Sequence, residues 1–263
     1  MNTRPARRWL APLAGLAALL AVLLAASAVA APTTITVRVL SRDAKFVGSS
    51  MGGVRVTLTD VHSGALLASG VTSGSTGDTG LVMHRDGGRR AVLANDGAAG
   101  WTTTLDLAAP TLVEVRAIGP LAQMQAAMQV SARQWVVPGR HLAAGNGWLL
   151  EMPGFVVDVL TPPAHVKLAG PLTEVAVQAN VTLMCGCPIE PGGLWDADAY
   201  EVVALVSHEG EPRGRYPLAY AGSTSQFAVN IPTAEPGLYE VIVYAYDAAT
   251  GNTGLDRTTF FVP

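Results

Sequence analysis

Cysteine, charge and long apolar runs are all scarce in this sequence. The chain of 263 residues has two cysteines, so thiol or disulfide chemistry is confined to the one segment that holds both. Charged residues make up 14% of the chain, with 17 lysines and arginines against 20 acidic residues and no basic patch along the sequence. It therefore lacks the electrostatic footprint of a nucleic-acid-binding protein. After residue 30, no apolar run is long enough to span a bilayer.

The first 30 residues have the pattern of a cleavable secretory signal peptide. They begin with three basic residues, Arg4, Arg7 and Arg8, continue through an apolar stretch over residues 9–26, and end in Ala-Val-Ala. An uncleaved membrane anchor is the alternative, but the small residues before Pro32 favour cleavage. Cleavage would leave 14 basic against 20 acidic residues, a formal charge of −6. We therefore expect a periplasmic or secreted protein that does not itself span the membrane.

The rest of the chain is rich in strand and turn signals. It contains 28 glycines and 17 prolines, and continuous runs of helix formers are scarce. Apolar and polar residues alternate over residues 35–40, 54–59 and 111–118, as in half-buried strands. Thr-Pro-Pro at residues 161–163 is the best candidate for a domain boundary. This pattern predicts an all-β protein of two tandem β-sandwiches, over residues 32–160 and 164–263.

The first of these modules contains Gly-Val-Arg-Val-Thr-Leu-Thr-Asp at residues 53–60. Gly-Ala-Leu-Leu-Ala-Ser-Gly follows at residues 64–70, and then a loop of serine, glycine and threonine at residues 73–80. This order resembles the carboxypeptidase-regulatory or transthyretin-like class of small β-sandwiches. The resemblance covers residues 34–118 and implies a module without catalytic activity.

The second module ends with Pro-Gly-Leu-Tyr-Glu-Val-Ile-Val-Tyr-Ala-Tyr-Asp at residues 236–247, a Gly-Asn turn and a terminal strand. This order is similar to the last hairpin of bacterial immunoglobulin-like domains. The resemblance covers residues 164–263, and it implies a fold without implying an activity.

The chemically distinctive segment is Met184-Cys185-Gly-Cys187-Pro. One interpretation is a disulfide or thiol pair that ends a strand, because exported cysteines normally pair. A second is a Cu(I) site, in which Met184 and either His165 or His208 add to two thiolates. A third is redox chemistry on the thiols of another protein, which needs an activated thiolate. In a regular strand Met184 points away from both cysteines, so the segment must turn for all three to bind copper.

Other candidate residues favour structural roles. Asp196 and Asp198 could bind calcium, but a turn is the favoured interpretation because two carboxylates make a poor cage. Three tryptophans, Trp101, Trp135 and Trp148, fit a core or an interface, and an exposed one could stack on a sugar.

No catalytic motif is recognisable. No run resembles a nucleophile elbow, and no glycine-rich loop opens a helix as phosphate-binding loops do. We therefore expect a non-enzymatic binding or accessory protein whose partner is another exported or membrane-associated protein. Two further classes stay open: a copper-handling or thiol–disulfide factor that acts through Cys185 and Cys187, and a structural or adhesive module.

Overall fold

The computed structural model describes residues 30–84, 88–170 and 172–263, and strands dominate it. The prediction of an all-β sandwich protein is confirmed. The signal-peptide prediction falls on residues 1–30, almost all of which lie outside the described ranges. Along those ranges, no helix has both the length and the apolar character needed to cross a membrane.

Sixteen strands are described. They are β1 (Ala31–Ser41), β2 (Arg55–Asp60), β3 (Leu66–Val71), β4 (Trp101–Leu107), β5 (Thr111–Gly119), β6 (Met128–Val136), β7 (Trp148–Met152), β8 (Phe155–Thr161), β9 (Val166–Lys167), β10 (Glu174–Leu183), β11 (Tyr200–His208), β12 (Glu211–Pro217), β13 (Ala219–Tyr220), β14 (Gln226–Pro232), β15 (Gly237–Asp247) and β16 (Thr253–Val262). A short helix, α1 (Thr79–Met83), and four 3₁₀ turns, Ser49–Met51, Gly88–Arg90, Met124–Ala126 and Ala197–Ala199, complete the described elements.

The first sandwich packs a three-stranded sheet, in the order β4-β1-β7, on a four-stranded sheet, in the order β3-β2-β5-β6. Its core is formed by the inward positions of alternating strands, such as Val37 of β1, Leu58 of β2 and Val115 of β5. These are the apolar positions of the sequence pattern, because successive side chains of a strand point to opposite faces.

Helix α1 and the loop around it belong to a third, small core beside the three-stranded sheet. Phe46, Val82 and Leu93 pack there against Leu40 and Leu149. The helix begins where the side chain of Asp78 accepts a hydrogen bond from the backbone N–H of Leu81 (2.9 Å).

The second sandwich packs a four-stranded sheet, β13-β14-β10-β8, on a five-stranded sheet, β12-β11-β15-β16-β9. The sequence places the module boundary at residues 161–163, yet β8, just before it, pairs antiparallel with β10 in the second sandwich. The chain passes from β7 of the first sandwich to β8 of the second through two residues, Pro153 and Gly154. The two sandwiches are therefore joined by a very short connection.

Candidate functional site at the module junction and on the second sandwich

The two cysteines lie directly after β10, where they form a disulfide with the Cα atoms 5.3 Å apart. Gly186 is the tip of this loop, with a φ of 73°, and its N–H donates to the carbonyl of Leu183 at 2.8 Å. Both cysteines are buried, with 1% and 3% of their surface exposed. The sequence-based interpretation of a disulfide is confirmed, and the sulfurs are shielded from other proteins in the folded state.

Met184 points away from the disulfide, as strand alternation predicts. It is fully buried in the core of the first sandwich, whereas Cys185 and Cys187 belong to the core of the second. The tip of the loop lies against Met51 of the first sandwich, because a Cβ added at Gly186 would meet the Met51 Sδ at 2.6 Å. Residues 184–187 therefore contact the cores of both sandwiches.

The histidines considered as copper ligands have other contacts. His208 donates from Nε2 to the carbonyl of Pro236 (3.0 Å) and accepts at Nδ1 from Arg213 (3.1 Å). His165 lies edge-on to Phe261, with ring centroids 5.5 Å apart. Within the ranges that the structure describes, no three His, Cys, Asp or Glu side chains come together as metal ligands would. A Cu(I) site therefore stays a prediction for the reduced protein, since a disulfide offers no thiolate.

Two side chains of the second sandwich hold the turn that follows β1. Asn252, fully buried, accepts the N–H of Gly154 at 2.9 Å and donates to the carbonyl of Arg42 at 3.2 Å. Trp195 donates from its indole nitrogen to the carbonyl of Asp43 at 2.9 Å. Buried polar groups that are satisfied by a partner in the other module fix the relative placement of the two sandwiches.

A cleft of 440 Å³ lies at this junction. Its lining consists of Leu40, Arg42, Asp43, Ala44, Val82, Met83, Glu151 and Thr250. Arg42 and Glu151 form an ion pair across it, with Nε and Oε1 2.7 Å apart. Asp43 is exposed as a residue, but partial desolvation of its carboxyl group, with a further contribution from the charge of Asp247, raises its pKa.

The other acidic pair forms a turn. The Oδ1 atom of Asp196 accepts from the N–H groups of Gly192 (3.0 Å) and Asp198 (3.1 Å). This arrangement supports the favoured structural interpretation of the pair.

A second depression, of 420 Å³, lies on the outer face of the five-stranded sheet, and we name it the apolar groove. Its principal lining residues are Met128, Leu205, Ile242, Tyr244 and Leu255. Leu205 stands opposite Ile242, and Tyr244 stands opposite Leu255, so neighbouring strands place these side chains on one face. Leu255 is 50% exposed, Leu205 41% and Met128 36%.

The rim of the apolar groove is polar on one side. Arg215 pairs with Glu201 at 2.7 Å, and the hydroxyl of Tyr244 donates to the same carboxylate at 2.6 Å. Met128 comes from the first sandwich, so the groove is built by both modules. Sequence reasoning missed it, although apolar residues at the outward positions 205, 242 and 255 were the available signal.

Comparison with known proteins gives likenesses but no family. No known protein family matches the chain, and no curated protein matches it. Among solved structures it is similar to an engineered protein (17% identity over 49% of this chain and 24% of that chain, TM-score 0.31). It is also similar to CopC from Methylosinus trichosporium OB3b, with 18% identity over 42% of this chain and 93% of that chain and a TM-score of 0.29. A third likeness is to fibronectin(III)-like modules of Clostridium thermocellum CbhA, with 14% identity over 88% of this chain and 93% of that chain and a TM-score of 0.29.

These likenesses are distant. The chain spans about a quarter of the length of the engineered protein. At such TM-scores the likenesses assign neither a family nor an activity, so the class, an all-β protein of two joined sandwiches, rests on the strand pairing. The finer resemblance of the first module to carboxypeptidase-regulatory domains stays a prediction.

Proposed function

We propose that the protein is an exported, non-catalytic binding protein that holds another exported or membrane-associated protein in the apolar groove. The observation that carries this proposal is the cluster of exposed apolar side chains on the solvent face of the strands β11, β15 and β16. The solvent face of an antiparallel sheet is ordinarily polar, and a contiguous apolar area on it is typical of an interaction site.

The composition of the apolar groove fits a protein partner. Aromatic residues, methionine and arginine are enriched at protein interfaces, and the groove combines Tyr244, Met128 and the rim residue Arg215. An apolar centre with a polar rim is the usual anatomy of such an interface. The flexible thioether of Met128 lets the groove adapt to the side chain of a partner.

The experiment compares Leu205→Asp with Leu66→Asp as a matched control. Leu66 is an exposed leucine on β3 of the first sandwich, so the control introduces the same charge away from the groove. Tagged wild-type protein and both variants are used to capture partners from the exported fraction of the source organism. The captured protein is then purified, and its affinity for each variant is measured by calorimetry.

We expect Leu205→Asp to weaken binding of the purified partner by at least about tenfold, because a buried unpaired charge is costly at an interface. Leu66→Asp should bind like the wild type. A partner that binds Leu205→Asp with unchanged affinity would contradict the proposed site. Thermal unfolding of both variants verifies that they remain folded.

A further inference from the structure

We propose that the outer face of the four-stranded sheet in the first sandwich binds an anionic polysaccharide. This face, which we name the arginine face, consists of the outward positions of β3, β2, β5 and β6. It lies on a different module from the five-stranded sheet that forms most of the apolar groove, and the inference does not depend on the proposed protein partner. Its charge, its geometry and its one exposed aromatic ring each point to this class of ligand.

The arginine face is positively charged on an acidic protein. Its outward positions hold three arginines, Arg55, Arg116 and Arg133, and one acid, Glu114. Every other outward position of these four strands is uncharged, whereas the whole chain has a formal charge of −3. The local surplus of positive charge therefore favours an anionic ligand over a neutral one.

Glu114 orders two of these arginines. Arg133 reaches its Oε1 from Nε at 3.0 Å and from Nη2 at 2.9 Å, and Arg116 reaches its Oε2 from Nη2 at 2.8 Å. Arg133 contributes most to lowering the pKa of Glu114, so the carboxylate stays ionised. One carboxylate thus holds two guanidinium groups in place, and this ordering reduces the side-chain entropy lost on binding. Of the two positive charges, one remains uncompensated.

The strand register places the three arginines on one diagonal. Arg55 stands opposite Ile118, two residues from Arg116, and Arg116 stands opposite Ser131, two residues from Arg133. Each step therefore crosses one strand and advances two residues, a distance of roughly 8 Å from standard sheet spacings. Such a line of guanidinium groups matches a polymer with repeating carboxylates or sulfates, which arginine binds through paired hydrogen bonds.

The diagonal ends at Trp135, two residues beyond Arg133 on β6. The residue is 57% exposed, and its ring lies beside His62 with the ring centroids 5.9 Å apart. An exposed indole offers a flat apolar surface on which a sugar ring can stack. Trp148, by contrast, is buried, and Trp101 is partly covered in the first core.

The rest of the arginine face favours a sugar polymer over an acidic protein. The uncharged polar outward residues are Thr57, Thr59, Ser69, Gln129 and Ser131, whereas the apolar outward residues Leu66, Val71, Leu112 and Ile118 lie on the edge strand β3 or at the ends of β5. The hydroxyl and amide groups suit a ligand rich in hydroxyls. A protein partner would require a buried apolar centre, and the central positions of this face carry Thr57, Arg116 and Glu114 instead.

The test measures binding of alginate, a polymer of uronic acids, to the whole purified protein by calorimetry. Trp135→Ala, Arg116→Gln and Arg133→Gln probe the arginine face. Arg257→Gln is the matched control, because it removes an exposed arginine from β16 of the second sandwich. Dextran serves as the neutral polysaccharide and poly-L-glutamate as the acidic polypeptide, and circular dichroism verifies the fold of each variant.

We expect alginate to bind the wild type and Arg257→Gln equally, and each of the three face variants at least about tenfold more weakly. Added salt should weaken binding, and dextran should not bind. Absence of alginate binding, or equal binding by all variants, would overturn the proposal. A second contrary result is that poly-L-glutamate binds more tightly than alginate and that Trp135→Ala leaves both affinities unchanged. That result would overturn the proposal, because it would assign the face to an acidic protein.

Discussion

Gly186 shows how one residue can serve both the disulfide and the module junction. The residue adopts a left-handed conformation with a φ of 73°, which lets the chain reverse between the two cysteines. Its missing side chain also lets the loop approach Met51 of the first sandwich. The backbone conformation therefore favours glycine here, and the close approach of the flexible Met51 side chain adds a second, weaker constraint.

Gly186→Ala should lower the free energy of unfolding by more than Gly192→Ala does. Both glycines have a positive φ, so each alanine should cost about 1–2 kcal/mol from backbone strain alone. No heavy atom lies within 4 Å of a Cβ built at Gly192, whereas a Cβ at Gly186 meets the Met51 Sδ. Urea unfolding of the two variants measures the difference, and equal losses would show that the contact with Met51 carries no cost.

Asp43 should make the protein less stable as the pH rises. Its folded-state pKa is raised, first by partial desolvation of the carboxyl group and then by Asp247, so the folded state holds the proton more tightly than the unfolded state does. The free energy of unfolding therefore falls as the pH increases through the range just above the ordinary aspartate pKa. The destabilisation is fully present at neutral pH and absent at pH values below the unfolded pKa.

Asp43→Asn should accordingly raise the melting temperature at neutral pH, and the gain should vanish in acid. Asparagine tolerates the left-handed backbone of this position, where φ is 55°. The substitution also leaves unchanged the backbone carbonyl of residue 43, which accepts the hydrogen bond from the Trp195 indole. Asp106→Asn, at an exposed position of β4, is the control for the loss of a charge. A gain of the same size at every pH would contradict the assigned cause.

At the scale of elements, the turn between β15 and β16 of the second sandwich forms hydrogen bonds to residues at the module junction. Asn252 in this turn accepts a hydrogen bond from the N–H of Gly154 and donates one to the carbonyl of Arg42. Gly154 lies between β7 and β8, and Arg42 directly follows β1. Both bonds bridge more than 90 residues of sequence, so their loss affects the junction and not a local loop.

Asn252→Ala should destabilise the protein by about 2–4 kcal/mol, because it leaves backbone groups at a buried site without partners. Asn230→Ala, at an exposed position of β14, should change the free energy of unfolding by less than about 0.5 kcal/mol. Urea unfolding measures both values. A loss at Asn252 no larger than that at Asn230 would mean that water replaces the side chain at the junction.

Local patterns predicted most strands, and long-range pairing decided the rest. Alternation predicted β1, β2 and β5, and it also predicted that Met184 faces away from the cysteines. The glycine-rich loop expected over residues 73–80 instead leads into α1, because Asp78 caps that helix. The pairing of β8 with β10 depends on contacts between distant residues, which one-dimensional periodicity does not contain.

The candidate sites divide in the same way. The disulfide could be predicted from two cysteines in one short segment, whereas the apolar groove could not. Its residues come from strands far apart in the sequence, and only the register that sets Leu205 opposite Ile242 brings them to one face. Trp135 was singled out from composition, but its exposure and its place at the end of the arginine diagonal follow from the sheet order β2-β5-β6.

At the scale of the whole molecule, the two sandwiches present different surfaces. The first carries the arginine face and Trp135, and the second carries most of the apolar groove. The short connection at Pro153 and Gly154 and the hydrogen bonds of Asn252 and Trp195 join them. The two surfaces meet at β6, where Met128 lines the apolar groove and its neighbour Gln129 belongs to the arginine face.

The disulfide should behave as a structural link at this scale and not as an exchangeable thiol site. Thiol titration of the native protein should detect no reactive cysteine, because Cys185 and Cys187 are bonded and buried. The oxidised protein should take up no Cu(I) from a competing chelator, since a copper site at this pair needs the two thiolates and the disulfide offers none. The contrary result is stoichiometric Cu(I) uptake by the native protein that is abolished by Cys185→Ser and unchanged by His165→Ala. That result would contradict the structural role and support copper handling through the cysteine pair.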